Sequence, residues 1–201
     1  MKYLHYTAFL INIISFNSHA QFLLQRKNIA EVRKYEAEQN SENRGFNKIR
    51  VSSDFFHNAQ ADVDYYPLTF KRTNDTFKPG CVVEYYYLQK DSLINAIVYD
   101  WNIMNEIHNL KVDGYKFDEQ ISRKDDYIQQ YNTIRDQIIK LLGEPSNTEN
   151  IKEDTHLISA RTEWNLPDKD IKLTLLFTPV LQTAGSFKFG TFKVRLVTDW
   201  K

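Results

Sequence analysis

The sequence predicts an α+β fold in which an antiparallel sheet of about six strands packs on one long helix and one shorter helix. Two stretches, 28–39 and 123–142, carry apolar residues at helical intervals. Three stretches within 158–200 alternate apolar and polar residues, which is typical of strands with one buried face. A hydrophobic fraction of 42% argues against disorder over most of the chain. These patterns predict a single domain over residues 21–201.

The shorter helix is predicted over residues 28–39. Asn28 can cap it, and Glu31 follows at the spacing of a capping box, in which each of the two side chains binds a backbone amide of the other residue. The polar residues at 39–45 then predict a loop, and residues 48–52 predict a short strand.

The longer helix is predicted over residues 123–142, where the local signals agree. Ser122 is the expected N-cap, Gly143 supplies a left-handed cap at the C-terminal end, and Pro145 prevents continuation. Five residues, spaced alternately four and three apart, form its apolar face. They are Tyr127, Tyr131, Ile134, Ile138 and Leu141.

The first strands are predicted in an aromatic-rich part of the chain. Residues 64–71 form one strand, which Pro67 confines to a sheet edge or a bulge because proline lacks an amide hydrogen. A turn at 89–92 joins the next two strands, 82–88 and 93–101, into a hairpin. The face shared by the second of them consists of Leu93, Ile97, Tyr99 and Trp101.

Three C-terminal strands follow from alternation with a period of two. Their core-facing residues are Ile158, Ala160, Trp164 and Leu166, then Ile171, Leu173, Leu175 and Phe177, then Phe192, Val194, Leu196 and Trp200. Residues 86–93 also align without gaps on residues 164–171. Chance similarity between hairpins is the favoured explanation of this alignment, and two units, each a helix followed by a three-stranded meander, are the alternative.

The first twenty residues have the pattern of a secretory signal peptide. Lys2 gives a cationic start, residues 8–14 form a short apolar run, and Ser18 and Ala20 are small residues at the positions that a signal peptidase reads. The apolar run is shorter than the roughly 20 residues needed to cross a bilayer. We therefore expect removal of residues 1–20, a periplasmic or extracellular location, and no transmembrane segment in the mature chain.

Charge and cysteine content restrict the partners and bonds of the protein. The chain has 26 Lys and Arg residues against 26 Asp and Glu residues. Loss of residues 1–20 removes only Lys2, so 25 basic residues face 26 acidic ones and the mature net charge is −1. This balance argues against nucleic acid or an anionic membrane as a partner. Cys81 is the single cysteine, cannot form an internal disulfide, and is expected to be a buried apolar residue.

Residues suited to catalysis or metal binding are sparse. Asp54, His57, Asp62 and Asp64 form the one cluster of carboxylates with a histidine, and they are the candidates for a metal site or a hydrolase. The sequence contains no glycine-rich phosphate loop and no Gly-x-Ser-x-Gly motif, so no cofactor is predicted. An enzyme that uses this cluster is the alternative to a binding protein.

The polar face of the predicted sheet is more suggestive of function. Alternation directs several basic residues to it, and the run of three tyrosines that ends at residue 87 is expected to direct at least one ring outward. Tyrosine and arginine are enriched where proteins bind proteins, although ordinary cross-strand pairing also explains such residues. The expected contact residues are Tyr85, Tyr87, Arg161, Lys172, Lys193 and Arg195.

Two parts of the chain carry a resemblance to known proteins. Residues 28–34, Asn-Ile-Ala-Glu-Val-Arg-Lys, are similar to the short first helix of small bacterial envelope modules. Residues 131–145, which end in Leu-Leu-Gly-Glu-Pro, and then 161–164 resemble the helix, turn and Trp-bearing meander of periplasmic proteins. Those modules belong to the β-lactamase-inhibitor-like and PepSY-like α+β groups, and the resemblance carries over no functional residue.

The composition and the Ala-Gln end of the signal also resemble exported proteins of Bacteroidetes-type bacteria. The segment Asp91-Ser92-Leu93 is similar to the short O-glycosylation site of that group, so the resemblance implies Ser92 as a modification site. The function we expect is non-enzymatic binding of another protein or an envelope component. An enzyme and an inhibitor or immunity-type protein are the alternatives.

Overall fold

The structure is a computed structural model that describes residues 22–46, 49–50, 64–72, 76–88, 90, 92–108, 113–185 and 187–201. The predicted signal peptide lies outside these residues. In chain order, the elements are α1 (Ile29–Glu38), β1 (Glu42–Phe46), β2 (Ile49–Arg50), β3 (Asp64–Lys71), β4 (Cys81–Tyr87), β5 (Ile94–Asn102), a 3₁₀ turn (Ile103–Glu106), α2 (Tyr115–Ile121), α3 (Lys124–Leu142), β6 (Asn147–Glu153), β7 (Ile158–Asn165), β8 (Lys169–Phe177), β9 (Gln182–Ala184), β10 (Phe187–Phe189) and β11 (Phe192–Trp200).

One large antiparallel sheet organises the part of the chain that the structure describes. Its strand order is β1-β3-β4-β5-β11-β8-β7-β6. The strand β2 pairs with the first residues of β3, and β1 pairs with the last ones. A separate hairpin consists of β9 and β10. The α+β class and the antiparallel sheet are thus confirmed, but the sheet has nine strands in the described residues rather than about six.

The additional strands lie mainly at the sheet edges, where polar sequence does not prevent pairing. The loop expected over 39–45 is confirmed for residues 39–41 only, because β1 begins at Glu42 and pairs with β3 through its backbone. Gly45, with φ +85°, lies at the register shift in this pair, a conformation that favours glycine. The other edge strand, β6, is exposed along nearly its whole length and has no apolar alternation that could have predicted it.

Pro67 lies where the pairing of β3 is interrupted. On one side β3 pairs continuously with β4, and Pro67 faces Tyr86. On the other side, β1 pairs with residues 68–71 and β2 with residues 64–65, so neither strand is in register with Pro67. β3 lies between β1 and β4 and has no bulge in its pairing with β4, so the predicted edge or bulge position is wrong. The missing amide hydrogen is tolerated because of the gap between β1 and β2.

Both predicted helices form, with one difference in capping. In α1, the Asn28 side chain accepts hydrogen bonds from the amides of Ala30 and Glu31, and the Glu31 carboxylate accepts one from the amide of Asn28, each at 3.0 Å. The capping box is therefore confirmed. For α3, Ser122 is not the N-cap: its hydroxyl donates to the Glu119 carbonyl at 3.1 Å, because α2 ends immediately before it.

The apolar face of α3 packs on the sheet as expected for four of its five residues. Tyr127, Tyr131, Ile134 and Ile138 are buried, whereas Leu141 is 52% exposed because the helix ends one residue later. Gly143 has φ +88°, a positive value that favours glycine, but its ψ of −170° lies outside the left-handed helical region, so the predicted left-handed cap is wrong. Its carbonyl accepts a hydrogen bond from the Trp164 indole at 3.0 Å, which ties the end of the helix to β7.

The core lies between the helices and one face of the sheet, the core face. Ile171, Leu173, Leu175 and Phe177 of β8 are each at most 1% exposed, so the predicted alternation is confirmed. Cys81 is also fully buried, as expected. From α3, the Tyr131 hydroxyl lies 2.6 Å from the Thr162 hydroxyl of β7, so this buried polar pair is satisfied.

The topology divides into two similar halves that meet at the centre of the sheet. α1 precedes the strands β1, β3, β4 and β5, and α3 precedes β6, β7, β8 and β11, in mirrored order. The last strands of the halves pair, and Val98 faces Val197. Both valines begin a Val-x-Asp-Trp segment, which ends at Trp101 or Trp200. The alignment of 86–93 on 164–171 is therefore wrong, because it matches a third strand with a second one.

The described chain begins with an anchored segment. Phe22 is 4% exposed, and its ring makes edge contacts with Tyr99 at 5.2 Å and Trp101 at 6.2 Å between centroids. The Leu23 amide donates to the Tyr99 hydroxyl at 2.6 Å, and the Ile94 amide donates to the Lys27 carbonyl at 3.0 Å. These contacts fix the segment against β5.

Replacement of Phe22 by alanine in a chain of residues 21–201 is expected to lower the free energy of unfolding by about 3–5 kcal/mol, because a buried aromatic ring is lost from the core. Urea denaturation measures the difference. Phe189→Ala is the matched control, since Phe189 is 39% exposed and should cost much less. Equal losses for the two substitutions would contradict the anchoring of Phe22.

Candidate functional site

The candidate site is the outer face, the side of the sheet opposite to α1 and α3. The structure places four of the predicted contact residues together there: Arg161, Lys172, Lys193 and Arg195. Arg195 lies beside Thr174, which lies beside Arg161, so three strands contribute to one row. Over β5 this face is buried, with Val98 0% exposed. The accessible part therefore lies over β11, β8 and β7.

Arg195 is held in one orientation by a carboxylate of the neighbouring strand. Its Nε and a terminal nitrogen donate to the two oxygens of Asp100, each at 2.9 Å. Burial by itself lowers the pKa of Arg195, but the hydrogen bonds and charge of Asp100 outweigh burial and raise this pKa above its ordinary value. A bidentate pair of this kind fixes both side chains.

Arg161 is held in a similar way from its own strand. Its Nε donates to Glu163 Oε1 at 2.8 Å, and its terminal nitrogen also contacts this oxygen. The Arg161 side chain stays 41% exposed while Glu163 is 17% exposed. The guanidinium is therefore positioned but accessible from solvent.

The two lysines of the outer face differ from the arginines. Within the described part of the chain, neither Lys172 nor Lys193 makes a hydrogen bond or an ion pair. Lys172 is exposed, whereas Lys193 is half-buried. Burial, and then the adjacent charge of Arg195, lower the pKa of the Lys193 ammonium, and Asp100 offsets this only in part. The positive charge of Lys193 therefore lies in an unfavourable environment.

The two predicted tyrosines are not on the outer face. Tyr85 is fully buried on the core face, and Tyr87 lies on the same face and packs against the core. Tyr86 points to the outer face instead, is 3% exposed, and donates to Glu84 at 2.7 Å. Both faces of β4 are largely buried, so a run of three tyrosines gave no signal of which side is the core.

A buried ionic cluster that the sequence did not predict joins α1 to the sheet. Glu36 is fully buried and accepts a hydrogen bond from Arg72 at 2.8 Å and one from the Tyr85 hydroxyl. The second carboxylate oxygen accepts from the Ser41 hydroxyl at 2.5 Å. The Arg72 guanidinium also lies 5.1 Å from the ring centroid of Tyr99. The sequence carried one sign that Glu36 is buried. Glu36 lies four residues after Val32, so both side chains lie on the same buried face of α1.

Burial has the largest effect on the pKa of Tyr85, whereas neighbouring groups decide the direction of the pKa shift of Arg72. It raises the pKa of Tyr85 well above the ordinary value, and the neighbouring Tyr99 and Glu36 raise it further. For Arg72, burial lowers the pKa, but the interactions with Tyr99 and Glu36 outweigh burial and raise it overall. Arg72 therefore stays charged and Tyr85 stays neutral at physiological pH, so the cluster has a structural role.

The candidate metal site falls largely outside the described residues. Asp54, His57 and Asp62 lie there, and Asp64 is described only as the first residue of β3, where it pairs with Arg50. Among the described residues, no group of three or more His, Cys, Asp or Glu side chains could hold a metal ion. The predicted metal site or hydrolase therefore stays a prediction.

A shallow cleft of about 270 Å³ lies between the segment before β4 and the first half of α3. Its one charged pair is Arg123 and Asp126, 2.9 Å apart, and the Arg123 guanidinium lies over the Phe77 ring at 5.4 Å. The lining supplies amides and hydroxyls but no cysteine, histidine or lysine. Among these described residues, neither threonine hydroxyl is hydrogen-bonded to the Asp126 carboxylate, which accepts from Arg123 instead. The remaining lining residues are Thr76, Gln129, Gln130 and Thr133.

Ser92 lies in the turn between β4 and β5 and is half-buried. Its φ of +57° is uncommon for a residue other than glycine. Its amide donates to the Leu88 carbonyl at 3.1 Å, and its carbonyl accepts from the Ile29 amide at 3.0 Å. The turn is thus fixed at both ends, and glycosylation of the hydroxyl stays a prediction.

No protein-family model, no curated protein and no solved structure matches this chain. The resemblance to β-lactamase-inhibitor-like and PepSY-like proteins therefore stays a prediction. Across the described residues, the helices are too short or too polar to span a membrane.

The substitution Glu36→Gln is expected to lower the free energy of unfolding by about 3–5 kcal/mol, because it leaves the Arg72 charge buried without its partner. The double variant Glu36→Gln, Arg72→Met should lose less than the two single losses together. Chemical denaturation measures all of them. Glu153→Gln, which breaks an exposed ion pair with Lys124, is the control and should change stability little. A small loss for Glu36→Gln would contradict the structural role of the cluster.

Proposed function

We propose that the protein is an exported, non-enzymatic binding module that contacts another protein or an envelope component through its outer face. The proposal assigns the contact to the accessible part of this face, over β11, β8 and β7. Arg161, Lys172, Lys193 and Arg195 are its contact residues, and Tyr85 and Tyr87 are not among them because they lie on the core face.

The anchored segment at Phe22 is compatible with the predicted cleavage after Ala20. The predicted cleavage between Ala20 and Gln21 would leave Phe22 and Leu23 in the mature protein, and both contact Tyr99. Terminal residues are usually poorly ordered unless specific contacts tie them down. Cleavage at this position thus removes the signal residues and keeps every residue of the anchor.

The preorganised polar groups of the outer face carry the binding proposal. The Arg195–Asp100 and Arg161–Glu163 pairs hold two guanidinium groups in fixed orientations on strands near the centre of the sheet. Arginine is enriched in protein interfaces, and side chains already ordered before association lose less entropy when a partner binds. A rigid polar face of this kind fits recognition better than catalysis.

Affinity capture tests the proposal. The mature chain 21–201 is immobilised and exposed to the envelope fraction of the organism that encodes it, and retained proteins are quantified by mass spectrometry. We expect a reproducible partner that Arg161→Glu with Lys172→Glu reduces at least about tenfold, because like charges then oppose the contact.

A matched variant controls for the change in net charge. Arg33→Glu with Lys140→Glu alters the exposed surfaces of α1 and α3, on the other side of the sheet, and should retain the partner. Circular dichroism and thermal unfolding establish that both variants fold. Equal retention by both variants, or the absence of any reproducible partner, would overturn the outer face as the contact surface.

A further inference from the structure

We infer that the partner of the outer face is a protein segment in extended conformation that presents two carboxylates, four residues apart, to Lys172 and Lys193. The inference rests on the proposed function, because it names the chemistry of the partner at the same surface. Three observations carry it: the pairing state of the charges on this face, the position of Lys193, and the register of β8 with β11.

On the accessible part of the outer face, over β11, β8 and β7, Lys172 and Lys193 are the cations that make no hydrogen bond or ion pair within the described residues. The arginines are bound to Asp100 and Glu163, as described above. The acidic Asp170, two residues before Lys172, is paired with Lys201 at 3.0 Å. The carboxylates of Asp100, Glu163 and Asp170 are therefore engaged by other cations, even though Glu163 is the cross-strand neighbour of Lys172. Both lysines thus remain open to an anion of the partner.

Lys193 is the stronger indication of the two. It lies on a central strand between Asn102 of β5 and Leu176 of β8, neither of which carries a negative charge. A charge that is partly removed from water is costly unless an opposite charge approaches it. The lowered pKa of its ammonium agrees with this unfavourable setting. A carboxylate of the partner would relieve it, and Arg195 would add attraction.

The register of the strands sets the spacing of the partner's charges. Lys172 faces Val197, which lies four residues from Lys193 along β11. With a rise of about 3.4 Å per residue and about 4.8 Å between strands, the two lysine backbones are about 14 Å apart. Carboxylates at positions i and i+4 of an extended segment have nearly this separation, and both side chains point to the same side.

Lysine side-chain NMR signals of the mature protein test the inference with three synthetic peptides. The first is acetyl-Glu-Thr-Val-Thr-Glu-amide, with the predicted spacing. The second, acetyl-Glu-Thr-Glu-Val-Thr-amide, has the same composition with its acids two residues apart. The third replaces both acids of the first with glutamine and is the uncharged control.

We expect the first peptide to shift the signals of Lys172 and Lys193 and to bind about threefold to fivefold more tightly than the second. The substitution Lys193→Gln should weaken it by a similar factor, and Lys140→Gln on α3 should leave it unchanged. Salt should weaken binding because the charges are partly exposed.

Two results would overturn the inference: equal binding of the three peptides, or shifts that do not involve Lys193. The capture experiment distinguishes this outcome from failure of the proposed function. A partner that depends on Arg161 and Lys172 but binds Lys193→Gln as tightly as the original chain leaves the proposed function standing and removes the acidic segment. Selective binding of the first peptide without any captured partner would support the acidic segment and remove the envelope partner of the proposed function.

Discussion

The antiparallel pairing of β5 with β11 is the contact on which the rest of the structure depends. It joins the two halves of the chain, since each strand is the last of its own half. On the core face, Tyr99 and Leu196 are cross-strand neighbours, and both are fully buried. On the outer face, the next pair along is Asp100 with Arg195. The same register therefore builds the core and the most rigid ion pair of the candidate site.

The ion pairs on the two faces of the sheet have different structural roles. On the core face, Glu36 and Arg72 form a fully enclosed pair, which fixes the position of α1 relative to the sheet. A buried pair is costly to break, whatever its net contribution to stability. On the outer face, the pairs stay partly exposed and fix side chains rather than helices. The first arrangement fixes α1 against the sheet, and in the proposed function the second prepares a surface for recognition.

Specificity at such a surface comes from spacing as much as from charge. A chain with 26 basic and 26 acidic residues exerts little long-range attraction, so in the proposed function the local arrangement of lysines and carboxylates selects the partner. Paired arginines contribute shape and hydrogen bonds, and unpaired lysines contribute charge at two fixed points. In our inference, this division lets a face whose carboxylates are engaged by other cations favour an acidic segment.

The sequence by itself determined the elements whose signals are local. The capping box of α1, the apolar stripe of α3 up to Ile138, and the alternation of β7, β8 and β11 all follow from spacing within one segment. The same alternation placed Arg161, Lys172, Lys193 and Arg195 on one side of the sheet before any contact was known.

Only the tertiary structure decided what depends on distant residues. The polar edge strands β1 and β6 form because neighbouring strands offer backbone groups to pair with, and backbone pairing leaves no mark on the side chains. The side of β4 that faces the core depends on which elements cover it, so the orientation of Tyr85 could not be read locally. Glu36 meets Arg72 from 36 residues away, and Asp100 meets Arg195 from 95 residues away. Such charge pairs exist only once the chain has folded, because their geometry is set by strand order and register rather than by sequence spacing.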